Sequence, residues 1–114
     1  MEKIVEQGIL YDFYGELLTR HQQSVYEDLV VHDMSLGEIA EEHGITRQAV
    51  FDLIRRCDRL LQGYEERLKL VSKFRRTREY VSEIRRLSAK CRETKDMKLV
   101  DEISGISEKI LELI

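Results

Sequence analysis

The chain has 114 residues, of which 19 are Lys or Arg and 22 are Asp or Glu, for a formal net charge of -3, with 42% hydrophobic residues, six Gly, no Pro and no Trp. That length suits one domain with an appended helical arm and excludes a multidomain enzyme, while the apolar share is too high for a wholly disordered chain. No apolar run approaches the ~20 residues a membrane helix needs, and the opening Met1, Glu2, Lys3 and Ile4 lack a signal-peptide pattern, so a cytoplasmic protein without an integral membrane segment is expected.

The lack of proline and of alternating β-branched runs predicts an all-α chain. A first helix is expected over 3–18, where Ile4, Val5, Leu10, Phe13, Tyr14, Leu17 and Leu18 form a broad apolar face. Thr19 with Gln22, and Ser35 with Glu38, read as capping boxes, because each hydroxyl can accept an early backbone N–H while the longer side chain reaches back. They open a second helix, to residue 31 or 32 with Val25, Leu29 and Val30 inward, and a third over 36–43. Gly44 suits the left-handed conformation that ends the third helix, and Thr46 caps a fourth.

The fourth helix carries Leu53, Ile54, Cys57, Leu61, Tyr64, Leu68 and Val71, with Gly63 as a candidate break. A further stretch holds Phe74, Val81, Ile84, Leu87 and Cys91. Asp96 can cap a last helix with Leu99, Val100, Ile103, Ile106, Ile110 and Leu113 on one face. The expected division is a helix-turn-helix domain over 1–62 and a C-terminal helical extension over 63–114. The apolar stripes of the extension bury against each other or against a second copy, which makes the extension a candidate dimerisation arm. Cys57 and Cys91 lack the company of a disulfide scaffold or zinc site and read as reduced thiols.

The charge is unevenly placed. Residues 1–46 hold 2 basic and 10 acidic groups, residues 47–98 hold 16 and 8, and residues 99–114 hold 1 and 4. A basic middle can dock phosphate even in an acidic chain if the acidic parts point elsewhere. Pairing with neighbours such as Glu79 and Glu83 is the competing use of these arginines.

The most specific segment runs from Ser35 to Leu53. Two helices crossing closely need a small residue at the crossing, which Ala40 supplies, and a turn, which Gly44 supplies. Ile39, Ile45, Val50 and Leu53 then pin the pair from the apolar side. This leaves Thr46, Arg47, Gln48, Phe51, Asp52 and Arg55 on the outer face. Arg47 can bind guanine or phosphate, Gln48 can pair with adenine, Phe51 can touch a thymine methyl or stack on an unpaired base, and Arg55, Arg56 and Arg59 can neutralise phosphates. Asp52 suits at most a cytosine amino group. In the alternative reading Phe51 and Asp52 face another protein helix. His21, His32 and His43 read as surface groups without paired carboxylates. No nucleophile elbow or Gly-rich phosphate loop occurs, so neither catalysis nor a metal or other cofactor is expected.

The run Asp12-Phe13-Tyr14-Gly15-x-Leu17-Leu18-Thr19, then Asp33-x-Ser35-Leu36-x-Glu38-Ile39-Ala40-Glu41-Glu42 and Ile45-Thr46-Arg47-Gln48-Ala49-Val50-Phe51-Asp52, resembles the YlxM family of small bacterial helix-turn-helix proteins over roughly residues 10–70. More loosely it is similar to region four of the sigma factors, whose pattern has an arginine at the place of Phe51 and a polar group at that of Asp52. The YlxM resemblance implies an accessory role in the signal recognition particle pathway, with DNA or the particle's RNA bound and the particle's GTPase as a candidate partner. The sigma resemblance implies a sequence-specific transcription regulator. A protein-interaction adaptor is the third reading. Beyond about residue 72 no pattern is recognisable.

Overall fold

A computed structural model describes residues 2–114. The described residues form six α-helices and one 3-10 turn, with no strand. They divide into two compact units, Met1–Lys69 and Leu70–Ile114.

The first unit comprises α1 (Lys3–Tyr14), a 3-10 turn (Gly15–Leu17), α2 (Arg20–Val30), α3 (Leu36–His43) and α4 (Arg47–Leu68). The helix α4 is the spine against which the other three pack. Its inward positions Val50, Ile54, Cys57 and Leu61 recur every three or four residues and are all buried. They meet Leu10, Tyr14 and Leu18, then Val25 and Tyr26 of α2, and Ile39 and Ala40 of α3, in one core. Burying each large apolar side chain is worth about 1.5 to 3 kcal/mol. The Cys57 thiol, fully enclosed here, is pushed up to about 11, chiefly by burial and then by the Asp58 carboxylate beside it. Both cysteines are free thiols on helices.

The helix starts follow the predicted chemistry. Thr19 and Ser35 each accept from the N–H three residues on, and Gln22 and Glu38 answer with bonds to the capping residues' own N–H groups. The first helix, however, stops at Tyr14 and not at Leu18. The Tyr11 ring lies across Gly15, so near that a Cβ there would stand 2.7 Å from it. Tyr11 cannot swing away freely, since its hydroxyl donates to Glu27 at 2.5 Å and its ring stacks on Tyr26 at 5.5 Å. The chain tightens into the 3-10 turn at this point. Replacing Gly15 with alanine is therefore expected to cost about 1 to 3 kcal/mol, read as a lower urea midpoint at unchanged m-value.

The predicted core of α1 and α2 also needs correction. Leu10, Tyr14 and Leu18 are buried as expected, but Ile4, Val5, Phe13 and Leu17 remain more than a third exposed, and Gln7 turns inward with the buried three. On α2, Val25 is buried as expected, but Leu29 and Val30 are only half-buried while Tyr26 and Asp28 go inside. The physical reason is polar pairing, described below.

Gly63 does not break α4, which runs on to Leu68. The helix ends at Lys69, a left-handed residue (φ 55°) whose N–H reaches the Glu65 carbonyl at 2.8 Å. The division between units falls there, seven residues past the expected one at Gly63.

The second unit is a helical hairpin of α5 (Leu70–Thr94) and α6 (Lys98–Leu113). Lys95, left-handed at φ 63°, turns the chain, and the Asp96 carboxylate accepts from the Lys98 N–H at 3.0 Å to start α6. The helices pack antiparallel, as Arg76 and Tyr80 near the start of α5 share a groove with Lys109, Glu112 and Leu113 at the end of α6. Leu87 and Leu99 are buried, and Ile103, Ile106, Ile110 and Leu113 half-buried. Among the described residues no helix is long and apolar enough to cross a membrane.

Candidate nucleic-acid interface

The segment 35–53 folds as a helix-turn-helix. Gly44 takes the left-handed conformation (φ 65°), and its N–H and that of Ile45 return to carbonyls of the last turn of α3, including Ala40. Thr46 then accepts from the Ala49 N–H at 3.0 Å and starts α4. Ile39 and Val50 are fully buried, Ala40 nearly so, and Ile45 and Leu53 half-buried.

The opposite face is open. Thr46, Arg47, Gln48, Phe51, Asp52, Arg55, Arg56 and Arg59 are all exposed. Their mutual contacts run along the helix at one-turn spacing. The Gln48 amide donates to Asp52 at 3.0 Å, and the Arg55 guanidinium stands 5.7 Å from the centre of the Phe51 ring. Asp52 is thus occupied in fixing Gln48. The amide keeps its carbonyl oxygen and one N–H, the two groups an adenine edge requires. Arg47 lies beside Leu36, Gln48 and Phe51 around a shallow depression, with its side chain passing Gly37. A second groove of about 460 Å³ follows the other edge of this face, lined by Thr19, His21, Gln22, Ala49, Asp52, Leu53 and Arg56.

Behind the turn stands a polar anchor that the sequence reading missed. Asp28, buried on α2, accepts from His43 Nε2 at 2.7 Å and from His32 Nδ1 at 3.0 Å. Both rings must donate, since a carboxylate can only accept. Two of the three histidines therefore share a carboxylate, contrary to their reading as unpaired surface groups, and His21 meets the His43 ring edge-on at 6.1 Å. The link ties the end of α3 to α2 across 15 residues. Asp28, Glu42 and His43 also bring ligand atoms within 4.8 Å of one another, although Glu42 is exposed and His43 is committed to Asp28.

Burial alone would raise the Asp28 carboxyl, but the hydrogen bonds from His43 and His32, with their charge, outweigh it and hold the group below its usual value. A depressed carboxyl stabilises the fold above its unfolded value of ~3.9 and loses that contribution as pH falls through the folded value. The stability gap between the protein and its Asp28→Asn variant should therefore narrow as pH falls from about 5 to below about 4. Urea titrations across that range measure it.

A second, half-buried node joins α1, α2 and α4. Asp58 accepts from Tyr26 at 2.5 Å and from Gln7 at 3.0 Å, and the Tyr14 hydroxyl bonds Glu65. Burial first, then the bond to Asp58, raises the Tyr26 phenol. These contacts hold α4 from behind and leave its outer face free.

The model of the UPF0122 family, described as "Putative helix-turn-helix protein, YlxM / p13 like", matches residues 1–102. The match extends well past residue 72, where the sequence pattern ceased to be recognisable. The chain is 39% identical to the UPF0122 protein YlxM of Bacillus subtilis over 97 residues, 85% of this chain and 88% of that protein. It is 39% identical to a UPF0122 protein of Desulforamulus reducens over 112 residues, 98% of this chain and 96% of that one. With a UPF0122 protein of Shouchella clausii the identity is 40% over 89 residues, 78% and 82% of the two chains.

Proposed function

Because the chain belongs to the UPF0122 family of YlxM/p13-like helix-turn-helix proteins, we propose that it is a cytoplasmic, non-enzymatic regulatory protein that binds nucleic acid through the outer face of α4. One observation carries this reading: the apolar half of the helix-turn-helix is buried while Thr46, Arg47, Gln48, Phe51, Asp52, Arg55, Arg56 and Arg59 all face solvent. Arg47 and Gln48, at the start of α4, are the base readers, and Arg55, Arg56 and Arg59 follow the backbone. The family resemblance supports a setting beside the signal recognition particle, with the particle's RNA as ligand and its GTPase as a protein partner. Val100, Leu111 and Ile114, left exposed on and after α6, support a homodimer built on the second unit.

Titrating the full chain against labelled duplex DNA, the particle's RNA and its purified GTPase, each at two salt concentrations, tests the reading. Binding to RNA without preference for a duplex sequence supports it, and GTPase binding in addition supports the partner. Base-dependent duplex binding would favour a sigma-type transcription regulator, and failure to bind either nucleic acid would overturn it.

A further inference from the structure

The helix-turn-helix sits in an acidic unit: Met1–Lys69 holds 8 basic and 14 acidic side chains, a net of -6. The helix α5 is the reverse, with 8 basic and 3 acidic groups over Leu70–Thr94. Its charges are sorted by side. Glu79, Glu83 and Glu93 lie on one flank, Glu83 and Glu93 within a turn of Arg86 and Lys90, and Arg86 is paired with Glu83. Arg78, Arg85 and Arg92 lie on the other. Seven residues is two turns, so these three form one line, spaced about 10 Å apart over about 21 Å.

Three features mark this line as a surface awaiting an anion. All three arginines are exposed, and among the described residues none has an ion-pair partner. At the positions three and four away on α5, where helical neighbours meet, none of them has a carboxylate. Between Arg85 and Arg92 stand Ser88 and Ala89, short side chains beside a groove of about 330 Å³ bounded by Ile84, Arg85, Ser88, Ala89 and Arg92.

We propose that the Arg78–Arg85–Arg92 face of α5 is a second nucleic-acid contact, which grips the phosphodiester backbone of a double helix without reading its bases. A guanidinium takes a phosphate bidentately, and a rigid row of three can engage several phosphates of a duplex at once. One exposed ring, Phe74, stands at the end of the line, with the Arg78 guanidinium 5.9 Å from its centre, and between Arg78 and Arg92 the one ring is Tyr80, which lines the groove shared with α6. From Arg85 to Arg92 the line thus offers neither a row of rings for a single strand to stack on nor the broad bulky face an interfacial membrane helix inserts. It has no Asn or Gln to read an adenine edge. The face supplies the attraction that the acidic helix-turn-helix unit lacks. It belongs wholly to the second unit and stands or falls independently of the α4 interface.

The test uses the full-length triple variant Arg78→Gln, Arg85→Gln, Arg92→Gln. A control of equal charge loss carries Arg76→Gln, Arg86→Gln and Lys90→Gln. All are surface changes, and circular dichroism verifies the fold. Fluorescence anisotropy with short labelled duplex DNA and duplex RNA, over a salt series, reads the affinity. The stripe variant should bind at least about tenfold more weakly, with a log–log salt slope reduced by about 2 to 3, and the control should retain most of both. Whichever duplex loses more identifies the helix form preferred. Equal losses in stripe and control variants would reduce the effect to net charge and overturn the proposal, as would an unchanged slope. A loss confined to phosphatidylglycerol vesicles, or to self-association by sedimentation, would assign the face to a membrane or a second copy and overturn it likewise.

Discussion

Replacing Asp58 with alanine is expected to destabilise the first unit by about 3 kcal/mol, the largest single effect among its polar residues. The Tyr26 hydroxyl, on a fully buried residue, and the Gln7 amide both donate to this carboxylate. Without it two donors remain in the interior with no acceptor, and each such group costs about 1 to 3 kcal/mol. Truncation also opens space beside Cys57. The Asp58→Asn variant should lose clearly less, because its amide oxygen can still accept from Tyr26. Urea denaturation followed by circular dichroism measures both. Equal costs for the two variants, or a cost below about 0.5 kcal/mol for alanine, would mean that the carboxylate does not hold the three helices together.

The largest effect on the α4 face is expected from Arg47→Ala combined with Arg55→Ala. Arg47 opens α4 beside the turn, and Arg55 lies two turns further along the same exposed face. The phosphate left without Arg55 should lower the log–log salt slope by about 0.7 to 0.9, and the loss of Arg47 as a base reader should weaken binding further at every salt concentration. Neither side chain supports the core, so the unfolding midpoint should stay within the small range of surface substitutions. A salt slope equal to that of the unaltered protein would remove this face from the interface.

Much of the helix-turn-helix was legible because its signals are local. Thr19 with Gln22, Ser35 with Glu38, Gly44 and Thr46 each act within a turn of their own position. The exposed face of α4 follows in turn from helical periodicity once Val50, Ile54 and Cys57 are placed inward. What escaped was long-range and polar. Gln7 and Asp58 are 51 residues apart, and Asp28 and His43 are 15 apart. A hydrophobic pattern sends such residues to the surface, so Asp28 and Tyr26 displaced Leu29 and Val30 from the predicted core. The end of α1 was illegible for a related reason, since Gly15 matters only once Tyr11 is pinned by Glu27 and Tyr26.

The break at Lys69 has no sequence signature, as lysine does not usually mark a left-handed position and Gly63 offered the more obvious one. The Gln48–Asp52 bond could have been read, since residues four apart on a helix face each other. It makes Asp52 a positioning partner where the sequence showed only a misplaced charge.

The two thiols give each unit its own clock. Cys57 is shut inside the first unit with its thiolate suppressed, while Cys91 is half-exposed on the second. A thiol-directed reagent should tag Cys91 at once and reach Cys57 only when α4 parts from its neighbours. Delayed tagging thus times the opening of the helix-turn-helix in the untouched protein, and a ligand clasping that unit would lengthen the delay without any engineered probe.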